Sequence, residues 1–312
     1  MSPRIRIGIS SCLLGEAVRY DGMHKFDSYI VRMLGRYFDF EPVCPEVGIG
    51  LGVPRMPIHL IGRPGNARAV GRDDPRTDVT QTLARYGRRM GRELDDVSGY
   101  IFKSRSPSCG LQRVPVHASG RTRSGRGIYA EALLSTQPWL PATDETQLSD
   151  PLLRDNFLER VFAYRRWQES VATGLNAAGL ADFHAAHTLA LMAHRPRAVS
   201  ELGGLVALAE RGRTGALAQE YLVIFFSTLT RPATKARHMA VLQRILDHLH
   251  RKLGRSESAA LRNAIRDFSA DKLPRARVLT MFRRHFRGLA DPAIVRQTYL
   301  YPDTIEQRLR RI

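Results

Sequence analysis

Apolar and polar residues alternate in four short runs of the first half of the chain: RIRIGIS at 4–10, FDFEPVC at 38–44, PIHLIG at 57–62 and SGYIFK at 98–103. Each has the length of a strand, and a period of two gives one apolar face to a sheet. Between the runs the period changes. Val79, Leu83, Tyr86, Met90 and Leu94 recur at spacings of three or four, which predicts a helix over 77–94 with one apolar stripe. Asp74, Pro75 and Thr77 supply its start signals. A shorter helix is predicted over 25–37. Strand and helix in alternation predict an α/β domain with a largely parallel sheet.

The grammar shifts at QPWLPATDETQLSD, 137–150. This polar, proline-containing stretch reads as a boundary between a domain at 1–145 and one at 146–312. Beyond it helical periodicity is nearly continuous, predicting helices over 152–172, 180–193, 198–211, 216–229, 233–253, 256–269, 275–288 and 302–311. The second domain is therefore expected to be all-α. A length of 312 residues already favours two cores over one.

Charge adds a partner to this picture. The chain has 48 Lys and Arg against 30 Asp and Glu, a formal net charge of +18. Residues 1–145 carry 21 basic and 15 acidic residues, and 146–312 carry 27 and 15, so the second half holds most of the excess. Arginine dominates, and a guanidinium binds phosphate bidentately and stacks on bases. A nucleic acid is the expected partner, with a merely basic surface as the alternative. Hydrophobic residues at 43% and charged residues at 25% fit an ordinary globular chain. Apolar runs such as 221–226 fall far short of the roughly 20 residues that a membrane span needs, and the first residues lack the apolar core of a secretory signal. No membrane partner and a cytoplasmic location are expected. Three cysteines do not make a disulfide framework and in a reducing compartment remain thiols or metal ligands.

Those cysteines share a placement. Cys12 follows the first predicted strand, Cys44 ends the second, and Cys109 lies shortly past the SGYIFK run. Strand ends of an open parallel sheet line up along one edge, where ligands bind. Two readings stand: three independent buried thiols, or a convergent metal or cluster site. Zinc would take a fourth ligand or water; an iron–sulfur cluster usually takes four thiolates, so three would leave one iron open. Glu46 in CPEVGIGLGVPR and the hydroxyls of Ser104, Ser106 and Ser108 in KSRSPSCGL supply a base and orienting groups, or else a loop cap and ordinary turn residues. Gly48, Gly50 and Gly52 lack dinucleotide-fingerprint spacing and lead into VPRMP rather than a helix, so no nucleotide cofactor is expected.

Weaker signals lie elsewhere. RYDG at 19–22 and Arg55 adjoin the cysteine motifs and either line a pocket or serve turns and surface. GRTRSGRG at 120–127 is a basic, glycine-rich loop suited to gripping phosphate, or simply solvated. The segment 231–255 is expected to gather basic residues on one helix face. His184 and His187, three apart, have no third metal ligand nearby and read best as a satisfied helix pair; Tyr299 and Tyr301 read best as core.

SSCLLGEAVRYDG, VCPEVGIGLGVPR and KSRSPSCGL together resemble the thiouracil desulfidase (TudS) family over residues 4–140. FHAAHTLALMAHRP (183–196) and TYLYPDTIEQRLR (298–310) resemble a second domain often fused to it, and the two-domain arrangement is similar to that of the tRNA 4-thiouridine desulfidases (RudS). The resemblance implies a 4Fe-4S cluster with three protein cysteine ligands, falling on Cys12, Cys44 and Cys109, and one open iron. The family's acidic residue falls on Glu46, and its motif serine on Ser106, with Ser108 and Ser104 as further candidates. It implies a non-redox hydrolysis of a C–S bond: the thiocarbonyl sulfur meets the open iron, water deprotonated by Glu46 attacks the ring carbon, and hydrosulfide leaves. The expected substrate is tRNA containing 4-thiouridine. Free thiouracil is the alternative substrate, and a non-catalytic iron–sulfur nucleic-acid-binding protein the alternative outside enzymes.

Overall fold

The computed structural model describes residues 4–118, 120–212, 214–249, 252–286 and 292–310. The chain divides into two compact units, Met1–Phe157 and Leu158–Ile312. In chain order the first runs β1 (Ile5–Ser10), α1 (Ser28–Arg32), β2 (Phe38–Val43), α2 (Pro45–Gly48), β3 (Ile58–Arg63), β4 (Asn66–Gly71), α3 (Thr80–Glu93), β5 (Tyr100–Phe102), β6 (Val114–Ala118), β7 (Arg121–Gly125), α4 (Ile128–Thr136), β8 (Ala142–Asp144) and α5 (Glu145–Leu148).

Four of these strands form a parallel sheet, the class that the sequence predicts, in the order β2-β1-β5-β8; β2, β1 and β5 fall on predicted strands, while β8 lies in the polar stretch read as a boundary. The inner strands β1 and β5 are buried almost throughout, as strands covered on both faces must be. Gly8 in β1 lies under the Tyr100 ring, and a Cβ there would come within 2.4 Å of a ring carbon. Room at Gly8 lets Tyr100 stay fully buried and place its hydroxyl 3.1 Å from that of Tyr129 on α4. Sheet and helix are thereby tied together directly behind the strand ends.

A second, mixed sheet has the order β4-β3-β6-β7, with β3 parallel to β6 and antiparallel to β4, and β7 antiparallel to β6. Its register puts Leu60 beside Ala69 and Val116, and these pack with Leu83 of α3 and Ile128 of α4. The alternate residues His59, Ile61 and His117 belong to the opposite face. Of this sheet only β3 is predicted from sequence. The segment 120–127, expected to be a flexible loop, is mostly strand β7: RTRSG is exposed along nearly its whole length, so it shows no apolar alternation and is held mainly by backbone pairing with β6. The helix expected over 25–37 is broken as well, α1 being followed by a 3-10 turn at Leu34–Arg36.

The remaining helices are α6 (Pro151–Ala172), α7 (Ala177–His194), α8 (Pro196–Ala209), α9 (Thr214–Leu229), α10 (Lys235–Leu249), α11 (Arg255–Ser269), α12 (Arg275–Phe286), α13 (Pro292–Val295) and α14 (Thr304–Leu309). No strand occurs among the described residues of the second unit, so its all-α class stands as predicted. α10 stops at Leu249, short of the expected 253; residues 250–251, like 287–288 of the helix expected over 275–288 and 311 at the end of the last, lie outside the described residues. No helix among the described residues is long and apolar enough to cross a membrane.

Much of the polar chemistry of this unit is internal. Arg166 donates to Nε2 of His187 at 3.1 Å and pairs with Glu306 at 2.9 Å, while Nδ1 of His187 donates to the Phe183 carbonyl at 2.7 Å. Burial pushes His187 down to about 3, so the ring is neutral and both its nitrogens are engaged. His184 instead contacts the Tyr221 hydroxyl at 3.2 Å. Tyr299 is buried, with its hydroxyl 3.0 Å from His238, and Tyr301 packs against the same core. Of the basic residues expected to share a face in 231–255, His238 is buried, and Arg237, although exposed, donates to the His194 carbonyl.

Candidate functional site

In the parallel sheet the chain steps from β1 to β2 on one side and resumes with β5 and β8 on the other. A crevice opens at the carboxyl ends where the order reverses. Cys12 lies in the 3-10 turn just past β1, Cys44 directly after β2 at the start of α2, and Cys109 in the loop after β5. These are three adjacent strands. All three thiols line one cavity of about 300 Å³, at the small end of the range for ligand pockets.

Burial pushes the Cys12 thiol up to about 11, and Lys103 and Arg19 only partly offset this. Burial likewise raises Cys44 and raises Cys109 strongly, the latter against a lowering hydrogen bond from Ser10, and charge on Cys44 would raise both Cys12 and Cys109 further. A nucleophilic cysteine needs the opposite, a depressed thiol. Near neutral pH the pocket therefore holds three neutral thiols.

Glu46 stands in the first turn of α2, two residues past Cys44, and lines the same cavity. Its two oxygens are held from opposite directions: Ser108 Oγ donates to Oε1 at 2.8 Å, and the Arg55 guanidinium to Oε2 at 2.8 Å. Arg55 is itself fixed by the carbonyls of Val18 at 2.9 Å and Gly52 at 3.0 Å. Arg55 thus belongs to the pocket rather than to the surface.

The three serines separate by environment. Ser108 is fully buried and spends its proton on Glu46. Ser104 lines the cavity but donates to Glu145 at 2.6 Å. Ser106 also lines the cavity; its oxygen accepts from the backbone N–H groups of Ser108 and Cys109 at 3.2 and 3.0 Å, and its own proton has no acceptor among the described residues. Ser106 is the serine with a proton to offer a ligand.

Lys103 lines the cavity and is backed by Glu145, a pairing that the sequence does not announce. Lys103 Nζ pairs with Glu145 and contacts Ser104 Oγ at 3.0 Å. Burial pushes the Glu145 carboxyl up, but hydrogen bonds from Lys103 and Ser104 outweigh it and hold it below the usual range. Glu145 opens α5, 42 residues from Lys103, and only the pairing of β8 with β5 brings them together.

Among the described residues five cations line the cavity: Arg19, Lys25, Arg55, Lys103 and Arg105. Arg19 pairs with Asp21 at 3.1 Å, and Arg55 and Lys103 with Glu46 and Glu145. Lys25 and Arg105 have no carboxylate partner among the described residues, and Arg105 is held in the left-handed region at φ 57°. Around these charges Tyr20, Met23, Phe26, Val53 and Met56 are exposed, on two segments joined by the hydrogen bond from Arg55 N to Tyr20 O. Of the RYDG turn, Arg19 and Tyr20 reach the cavity.

The loop bearing Cys109 is clamped by the start of α4. Gly127, Ile128 and Ala130 donate backbone hydrogen bonds to the carbonyls of Gly110, Pro107 and Ser108 at 2.8, 3.1 and 3.2 Å. A Cβ at Gly127 would lie 2.4 Å from the Ser108 carbonyl oxygen and 2.8 Å from Gly110 N. Backbone cannot yield as a side-chain tip can, so Gly127→Ala is expected to destabilise the first unit by about 1–3 kcal/mol and to shift Ser108 off Glu46. Thermal unfolding checks the first effect and a crystal structure of the variant the second; a variant with unchanged melting temperature would show that the clamp is loose.

The fold and pocket define an α/β unit that presents three thiols, an oriented carboxylate and a cationic wall to a small ligand at a sheet switch point. Residues 7–145 match the family model described as 2-thiouracil desulfurase. Residues 189–303 match a second model, described as a protein of unknown function (DUF1722). A solved structure of a 4Fe-4S-dependent thiouracil desulfidase, TudS, is similar at 27% identity over 47% of this chain and 95% of that one, with a TM-score of 0.37. No curated protein matches the chain.

Proposed function

We propose that the chain is an iron–sulfur-dependent desulfidase that removes sulfur from 4-thiouridine in tRNA, giving uridine and hydrosulfide. The observation that carries this reading is the convergence of Cys12, Cys44 and Cys109 on one cavity beside a doubly oriented Glu46. The domain at 1–145 does the chemistry, and the basic helical domain at 146–312 holds the RNA.

Three thiols around one cavity are a soft donor set of the kind an iron–sulfur cluster takes. Cys12, Cys44 and Cys109 would hold it, and a bound metal removes the protons that burial otherwise keeps on these thiols. When bound, the cluster would supply a soft Lewis acid matched to a thiocarbonyl sulfur.

The remaining steps fall to side chains. Glu46, fixed by Ser108 and Arg55, takes a proton from water as its oxygen forms a bond to C4 of the ring. Ser106 offers its free proton to that water or to the ring oxygen or nitrogen nearby. The C4–S bond breaks as C4=O forms, so one water supplies the oxygen and its protons leave with Glu46 and sulfide. No electrons are exchanged.

Anaerobically reconstituted protein is expected to release one sulfide per 4-thiouridine lost from thiolated tRNA, read by its absorbance, and to act far more slowly on free thiouracil. A net charge of +12 over 146–312 supports the macromolecular substrate, since a free base needs no such surface. Faster turnover of free thiouracil would reassign the substrate, and absence of sulfide from both would leave a binding protein.

A further inference from the structure

A second cavity, about 510 Å³ in volume, adjoins the cysteine pocket and shares Tyr20, Pro57 and Ile58 with it; its other lining residues are His59, Arg72 and His117. It lies over the outer face of the mixed sheet, opposite the Leu60–Val116 core. We infer that this cavity holds a phosphate group of the substrate nucleotide, so that the cysteine pocket receives a base still attached to its phosphorylated ribose. The inference rests on the desulfidase reading of the adjoining pocket.

Three observations carry it. No carboxylate among the described residues lines the cavity, although 30 acidic residues are available in the chain. Arg72 is exposed and has no ion-pair partner among the described residues; it is anchored only by its backbone, N–H to the Pro57 carbonyl at 2.8 Å. A lone guanidinium in a concave, carboxylate-free site is matched to a phosphate, which it grips with two parallel hydrogen bonds.

The imidazoles supply the rest of the donor set. The rings of His59 and His117 lie 5.9 Å apart, across the β3–β6 ladder. Thr122 Oγ1 sits 3.2 Å from His117 Nδ1; in the tautomer in which the threonine donates, Nε2 carries the proton and is the nitrogen left for an anion. His59 Nδ1 is buried without a hydrogen-bond partner among the described residues. Tyr20, on the wall common to both cavities, is exposed, with the Arg19 guanidinium 5.3 Å above its ring. An aromatic placed between a base pocket and a phosphate site is where a splayed nucleotide passes.

The test uses the full chain, with and without its cluster. Turnover of 4-thiouridine, 4-thiouridine 5′-monophosphate and thiolated tRNA is compared between wild type, Arg72→Ala, Arg72→Lys and Arg72→Ala/His117→Ala. Loss of a charge-assisted bidentate contact is expected to lower kcat/KM for the phosphate-bearing substrates relative to the nucleoside by about 10- to 100-fold, mostly through KM. Lysine is expected to restore part of it, because it keeps the charge and loses the fork. A response of the monophosphate marks a terminal phosphate, and a response of tRNA alone marks a phosphodiester. An equal fall on all three substrates, or no fall on any, overturns the inference. Binding of unthiolated uridine 5′-monophosphate and unthiolated tRNA to the same proteins by calorimetry needs no turnover. If wild type binds these more tightly than Arg72→Ala does but releases no sulfide, the phosphate site stands and the desulfidase reading falls.

Discussion

Glu46→Gln is expected to slow desulfuration by about 10²- to 10⁴-fold, the range contributed by a positioned base, while leaving bound iron and the fold intact. The substitution suits the question because the surroundings accept an amide. Its oxygen can turn toward Arg55 and its NH₂ toward Ser108 Oγ, an atom that accepts as well as donates. Arg55 keeps its bonds to the Val18 and Gly52 carbonyls, so its charge does not lose every partner. What disappears is the ability to take a proton. The expected signature is a low kcat with unchanged iron and acid-labile sulfide per chain. A purely structural Glu46 predicts another pattern, in which iron content and melting temperature fall together with the rate. Turnover within about threefold of wild type would remove Glu46 from the role of base.

The α/β class and the placement of the cysteines are legible in the sequence because they depend on local pattern. β1 and β5 are apolar runs buried on both sides, and a thiol a few residues past such a run must lie near a strand end. The helical half is legible for the same reason, each helix burying one stripe. The mixed sheet is hidden because Arg121–Gly125 presents hardly any buried face; its strand character comes from hydrogen bonds to Val114–Ala118, which leave no trace in hydropathy. The choice among serines is hidden for a different reason. Ser104, Ser106 and Ser108 are chemically alike in KSRSPSCGL, and they are told apart by Glu145, by the cavity and by Glu46, groups 41 to 62 residues away for the two that are paired. Lys103–Glu145 likewise exists only once β8 pairs with β5. Local pattern thus places the donors, and long-range pairing assigns their protons.

The largest loss is expected from the cysteines themselves, and Cys109→Ala is the sharpest case. Cys109 is buried, its loop is clamped by α4, and its thiol receives a hydrogen bond from Ser10. If it were only a small buried side chain, alanine would remove one atom from the core, costing about 1 kcal/mol and about 2–4 °C in melting temperature, with turnover intact. If it is one of three anchors, the apoprotein still melts within those few degrees of wild-type apoprotein, but anaerobic reconstitution leaves it with little iron and no measurable sulfide release. Cys12→Ala and Cys44→Ala are expected to behave alike, although Cys44 is only half-buried and Cys12 sits in a 3-10 turn. That equality is the informative part, since three independent thiols in three environments would give three different results. A Cys109→Ala protein that takes up full iron and desulfurates at the wild-type rate would sink the three-ligand assignment, and Glu46 would then have to be reconsidered beside a different metal site.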